Sequence, residues 1–269
     1  MSKLITVEIH SNGVADVRLN QPEKYNSLSP KMFEAITETG ELLSINKSVR
    51  AIVLSGNGRG FCAGLHIDSF KKMVGSTKSS ITTKSFSSDT TPGNSVQKIS
   101  MVWKCAPVPV IAALHGVSYG GGLQLALGAD IRIAAPDAKF SIMEVQWGLI
   151  PDCGITQTLR ELVPLDIAKE LSFTGRIFGG EEALRLGIIT QLSDSPLESA
   201  LNLAELIATK SPNAVRASKK LFEATWHETG STGLTLEEKL QKKLIGRPNQ
   251  VETVKANFEK RSPQYIDPE

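Results

Sequence analysis

The chain has 269 residues, 41% of them hydrophobic and 22% charged, which is ample for a sizeable buried core and excludes a disordered tail, a fibre or a small stapled scaffold. Thirty Lys+Arg against twenty-eight Asp+Glu leave a formal charge of +2, too small to point to nucleic acid as the main ligand. Cys62, Cys105 and Cys153 have neither disulfide-framework nor zinc-ligand spacing, so a reducing compartment and no metal are expected.

The start shows no signal-peptide run and no stretch is apolar enough to span a bilayer; the Asp267-Pro268-Glu269 end matches neither the peroxisomal nor the ER-retention signal. These features predict a cytoplasmic protein without a membrane partner. Runs at 4–10 and 14–19 flank Asn12-Gly13, which predicts an opening β-hairpin. Ser29-Pro30 supplies an N-cap and first-turn proline for a helix over 30–44, with Met32, Phe33, Ile36 and Leu43 on one side. Residues 50–55 and 108–114 read as buried strands feeding glycine-rich turns. Between them, 75–94 is Ser/Thr-rich with weak periodicity and reads as a surface loop or lid. Strands follow at 130–134 and 188–192, with helices at 155–171 and 180–186. From there the pattern is helical, at 196–210, 212–225, 236–244 and 250–260. The chain is thus expected to divide into an α/β body over 1–195 and a helical region over 196–269.

Three glycine-bearing turns compete as sites of chemistry. Gly56-Asn57-Gly58-Arg59-Gly60 follows a strand, but the third glycine of a dinucleotide fingerprint would fall on Phe61. Gly116-Val117-Ser118-Tyr119-Gly120 is a literal G-x-S-x-G between a strand and a helix, the setting of a serine-hydrolase nucleophile. Its only downstream histidine, His227, falls in a predicted helix rather than the loop expected of the base. The third reading takes Gly120-Gly121-Gly122 as the opening of a helix whose first N–H groups lack internal partners. With a second donor from the Ala63-Gly64-Leu65 bend, two N–H groups would form an oxyanion hole, each worth roughly 3–4 kcal/mol in the transition state.

The segments Phe61-Cys62-Ala63-Gly64-Leu65, Ala112 to Asp130 and Phe140 to Gln157 strongly resemble the crotonase, or enoyl-CoA hydratase/isomerase, superfamily. The early Gln21 to Ser29 and the closing Phe258-Glu259-Lys260-Arg261 also fit, so the likeness spans nearly the whole chain. It implies an α/β fold, a crotonase-type spiral of ββα units with a C-terminal all-helical region that packs on the body and builds trimers or dimers of trimers. It implies an acyl-CoA thioester as substrate, with CoA arriving on the substrate and no separate cofactor. It also implies an enolate held by the backbone N–H groups of Leu65 and Gly121, with Ala63, Gly64, Gly120 and Gln124 around the substrate; His66, which stands where the family more often has aspartate, is expected to line the acyl site, and Lys260 to meet the phosphates of CoA. On this reading Ser118 is a turn residue.

Hydratases of this family use two glutamates. Here the first matches Gln124, an amide that cannot exchange a proton in the needed range, and the second matches Glu144. Glu144 lies in the apolar run Ile142-Met143-Glu144-Val145, which favours a raised pKa and a base suited to neutral pH. Asp152 precedes the predicted helix at 155 and suits an N-cap. It also matches the aspartate that dienoyl-CoA isomerases pair with the glutamate. The loss of one glutamate places double-bond isomerisation slightly ahead of hydration, with a non-catalytic acyl-CoA binder and the Ser118 hydrolase as the other readings.

Overall fold

The computed structural model describes residues 4–74, 91–228 and 230–268. The predicted Ser/Thr-rich loop therefore lies outside the described residues except for 91–94. In chain order the elements are β1 (Ile5–Ile9), β2 (Val14–Leu19), α1 (Pro30–Ile45), β3 (Ala51–Gly56), α2 (Ile67–Val74), α3 (Lys98–Lys104), β4 (Val110–Leu114), β5 (Val117–Tyr119), α4 (Gly121–Leu127), β6 (Ile131–Ala134) and β7 (Lys139–Ser141). There follow α5 (Ile155–Thr158), α6 (Leu165–Thr174), β8 (Phe178–Gly179), α7 (Gly180–Leu186), β9 (Gln191–Leu192), α8 (Pro196–Ala208), α9 (Pro212–Thr225), α10 (Ser231–Leu244) and α11 (Pro248–Glu259).

The hairpin forms as its sequence dictates: Gly13 takes φ +84, and β1 and β2 pair antiparallel from Ile5 opposite Leu19 to Ile9 opposite Ala15. Every later pairing in the main sheet is parallel, giving the order β1-β2-β3-β4-β6-β9. The middle strands β3 and β4 are buried along their length, as expected where both faces are covered. One face carries the main core, with Leu54, Phe61, Trp103, Leu114 and Phe140 sealed from solvent. The other carries Val14, Val53, Ile111 and Ile133 under Ala200 and Ala204 of α8, so the helical region begins by covering the sheet. A smaller sheet, β5-β7-β8, stands beside the first and carries the turn into α4.

Helix α1 starts where Ser29 and Pro30 place it, with Ser29 Oγ accepting the Met32 N–H at 3.2 Å. The helix predicted over 155–171 is broken instead. Pro164 lacks an N–H and disfavours helical backbone at Val163, so α5 gives way to a 3-10 turn at Leu159–Glu161 and α6 restarts at Leu165. The predicted strand at 188–192 shrinks to Gln191–Leu192, because Gly187 at φ +86 turns the Ile188 and Ile189 N–H groups back onto the Ala183 carbonyl. The helix expected at 236–244 begins earlier, at Ser231. Helix α2, with Ile67 and Phe70 at helical spacing, is additional to the elements expected, and α3 and the short strands β5, β7 and β8 carried too few residues to show a period.

Candidate active site

Glycine geometry builds the floor of the site. Cys62 donates its N–H to the Val117 carbonyl and accepts the Tyr119 N–H, so the Phe61–Cys62 segment lies along β5 as an added strand. On the other side Leu28 donates to Gly64 O at 2.8 Å and accepts the His66 N–H at 3.1 Å. These bonds press the Ala63-Gly64-Leu65 bend onto the Gly120-Gly121 turn. A Cβ added to Gly64, which holds φ +82, would fall 2.5 Å from Tyr119 O and 3.6 Å from Gly121 N. Among the described residues the N–H groups of Leu65 and Gly121 donate to no protein acceptor.

Above this floor lies a cavity of about 580 Å³. Its walls are mainly apolar: Leu28 and Phe33 from the α1 region, Ile67 and Phe70 from α2, and Trp147, Leu149 and Ile150 from the segment after β7. Phe70 stacks on Trp147 with ring centroids 4.2 Å apart. Among the described residues its acids are Glu144 and Asp152. Burial pushes the Glu144 carboxyl above the usual carboxylate range; its own backbone amide and the hydrogen bond from Gln124 oppose the rise, and the charge of Asp152 adds to it. Burial raises Asp152 as well. The Cys153 thiol contacts Asp152 Oδ1 at 3.7 Å and is driven far up by burial, which keeps it a neutral wall atom.

The residues predicted from sequence divide clearly. Ala63, Gly64, Leu65, Gly120, Gly121, Glu144 and Asp152 all line the cavity. Gln124 is wholly buried behind it, hydrogen-bonded to Glu144. His66 is not brought to the wall: its Nδ1 accepts the Asp68 N–H at 3.2 Å at the start of α2. Lys260 is exposed at the C-cap of α11, in left-handed backbone, and does not line the cavity. Asp152 does not cap the helix at 155, whose N-cap position is Gly154 at φ +86 with no side-chain bond. The loop is held through its backbone instead, with Cys153 N–H on Gln124 and the Ser100 hydroxyl on Cys153 O.

Ser118 and His227 are not brought together. The Ser118 hydroxyl is buried in β5 with no hydrogen-bond partner among the described residues, and His227 stands after α9, 3.4 Å from Glu161. Sequence reasoning gave no role to Asn26, which is sealed from solvent at φ +55 and whose Nδ2 reaches the carbonyls of Asn57, Gly60 and Phe61. Nothing in the local sequence marks this role, because both the burial of Asn26 and the Leu28–Leu65 bridge arise from packing between distant segments. Among the described residues no group of three His, Cys, Asp or Glu side chains is disposed to hold a metal ion, and no helix is long and apolar enough to cross a membrane.

Comparison with known proteins agrees with this geometry. The chain is 32% identical over 269 residues to the mitochondrial methylglutaconyl-CoA hydratase of Homo sapiens, covering 96% of this chain and 75% of that protein. It is 33% identical over 260 residues to the peroxisomal Delta(3,5)-Delta(2,4)-dienoyl-CoA isomerase of Arabidopsis thaliana, covering 92% and 90%. The crystal structure of an enoyl-CoA hydratase from Bacillus anthracis superposes with a TM-score of 0.84 at 30% identity, over 97% of this chain and 98% of that one, so the fold is the crotonase fold. A profile of the Enoyl-CoA hydratase/isomerase family matches residues 9–268, and the chain belongs to that family.

Proposed function

We propose that this family member isomerises double bonds in an unsaturated acyl-CoA, using Glu144 and Asp152 as a pair of acids and bases. The observation that carries the proposal is the pair of carboxyls on one apolar cavity, both raised in pKa, with an amide at Gln124 where a second glutamate would serve hydration. The thioester carbonyl would lie against the unpaired N–H groups of Leu65 and Gly121. One ionised carboxylate removes a proton from the carbon next to that carbonyl, and the electron pair moves onto the thioester oxygen as an enolate. The second carboxyl, protonated at the outset, delivers its proton to the far end of the conjugated system. The double bonds shift, the enolate collapses, and the two acids end with exchanged protonation.

This chemistry calls on N–H donors and carboxyls alone, so the reading includes no cofactor beyond the CoA carried by substrate. It also includes the trimer or dimer of trimers and the cytoplasmic setting expected from the sequence. Hydration is the second reading, supported by the hydratase relatives. The test gives purified protein a trans-2-enoyl-CoA and a 3,5-dienoyl-CoA, with Glu144→Gln alongside. An unchanged mass with a shifted ultraviolet spectrum on the dienoyl substrate supports isomerisation; gain of one water on the enoyl substrate, abolished in the variant, overturns it in favour of hydration.

A further inference from the structure

Gln124 is fully sealed from solvent, 0% exposed, and both ends of its amide are engaged. Its Oε1 accepts the Cys153 N–H at 2.8 Å, and its Nε2 donates to Glu144 Oε1 at 2.6 Å. A side-chain amide has two nearly isosteric orientations, and the bonding around it selects one. A backbone N–H can face only the amide oxygen, so the NH2 group must face Glu144. Cys153, whose N–H sets this orientation, is held at its next peptide group as well, where its carbonyl accepts the Ser100 hydroxyl of α3.

The two oxygens of Glu144 are thereby made unlike. Oε1 holds the amide donor and lies 3.0 Å from where a Cβ on Gly120 would stand. Oε2 is buried and has no hydrogen-bond partner among the described residues, an unusual state for a carboxylate oxygen. A proton on Oε1 would point at the Gln124 NH2, donor against donor; a proton on Oε2 meets no such conflict. Among the described residues the titratable groups that act on this carboxyl are Asp152 and the Cys153 thiol, and neither is a cation.

We infer that Gln124 is a positioning residue that anchors Glu144 through Oε1, favours its ionised form, and leaves Oε2 as the single oxygen that exchanges a proton with substrate. The inference rests on the proposed acid/base role of Glu144, and its test separates the two. The full chain is labelled with 13C-carboxyl glutamate and titrated by carbon NMR, with the Glu144→Gln spectrum identifying the Glu144 resonance. In Gln124→Met, which keeps the volume and removes the donor, the Glu144 pKa is expected to rise by about one to two units, the shift that matches loss of a hydrogen bond to an ionised group.

Gln124→Glu is the second variant, because it keeps an acceptor for the Cys153 N–H and replaces the donor with a like charge. Its two carboxyls should titrate in two steps, the upper one above the wild-type Glu144 value. In both variants kcat should fall at least tenfold at neutral pH with little change in KM, a split that general loss of packing does not produce. A Glu144 pKa unmoved in Gln124→Met, or an upper step at the wild-type value in Gln124→Glu, overturns the positioning role. Full turnover by Glu144→Gln instead overturns the acid/base reading and leaves the NMR result to decide the anchoring by itself.

Discussion

Replacing Gly64 with alanine tests whether the two glycine turns form one device. Gly64 holds φ +82, where a side chain costs about 1–2 kcal/mol. The new Cβ would also lie 2.5 Å from Tyr119 O, a carbonyl in β5 that no rotamer change can move, adding overpacking of about 1–3 kcal/mol. The sum, about 2–5 kcal/mol, corresponds to a fall of roughly 4–9 °C in the thermal midpoint for a chain of this size. Relief of the contact must push Leu65 away from Gly121, and misplacing one oxyanion donor lowers kcat by about 10²–10³. Gly246→Ala is the matched control: its φ is +76 but nothing lies within 4 Å of the added Cβ, so only the backbone strain is felt and kcat should hold. Melting curves and steady-state kinetics on both variants decide the matter. Wild-type kcat in Gly64→Ala, or a stability loss no larger than that of Gly246→Ala, would refute the convergence of the two turns on one substrate oxygen.

Glu144→Gln should lower turnover by about 10²–10⁴, checked by the two-substrate assay. It should also stabilise the protein at neutral pH. The folded pKa of Glu144 lies above its unfolded value, so the folded state holds the proton more tightly and stability falls as pH rises through that window. The gain in melting temperature over wild type should therefore be full above the window and vanish below the ordinary glutamate pKa. Asp152→Asn should abolish movement of a conjugated diene while leaving the melting temperature at neutral pH equal or higher, since Asp152 caps no helix and its carboxyl is raised by burial; retained diene turnover counts against the paired-acid mechanism. Asn26→Ala removes a buried donor shared by three loop carbonyls and should cost about 2–3 kcal/mol in chemical denaturation, with a fall in kcat because the Phe61–Leu65 segment hangs on it. Lys219→Met strips a buried ammonium from Asp130 and from the Trp103 and Val108 carbonyls, and should destabilise by about 3 kcal/mol without changing KM.

Features fixed by near neighbours were legible in the chain itself. Asn12-Gly13 dictated the hairpin, Ser29-Pro30 the start of α1, and the run Ile142 to Val145 the apolar setting of Glu144, because each depends on contacts within a turn or two. The order of glycine motifs also identified the family to which the chain belongs. The break at Pro164 was present in the sequence but masked by an apolar period running through it, and short strands such as β5 and β7 offered three residues each, too few to show alternation. The family resemblance named most residues of the site, but only the tertiary structure brings them together. The bend at Gly64 meets the turn at Gly120 only because Cys62 is bridged to Ser118 and Leu28 to Leu65, pairings across tens of residues that no local pattern encodes. The same holds for Asp152, turned to the cavity rather than to the helix after it, and for Gln124, whose amide faces Glu144 because a backbone N–H 29 residues away takes its oxygen. Local propensity sets which conformations a segment can adopt, whereas the convergence of unpaired donors and acids depends on how distant segments pack, and that is settled only when the core closes.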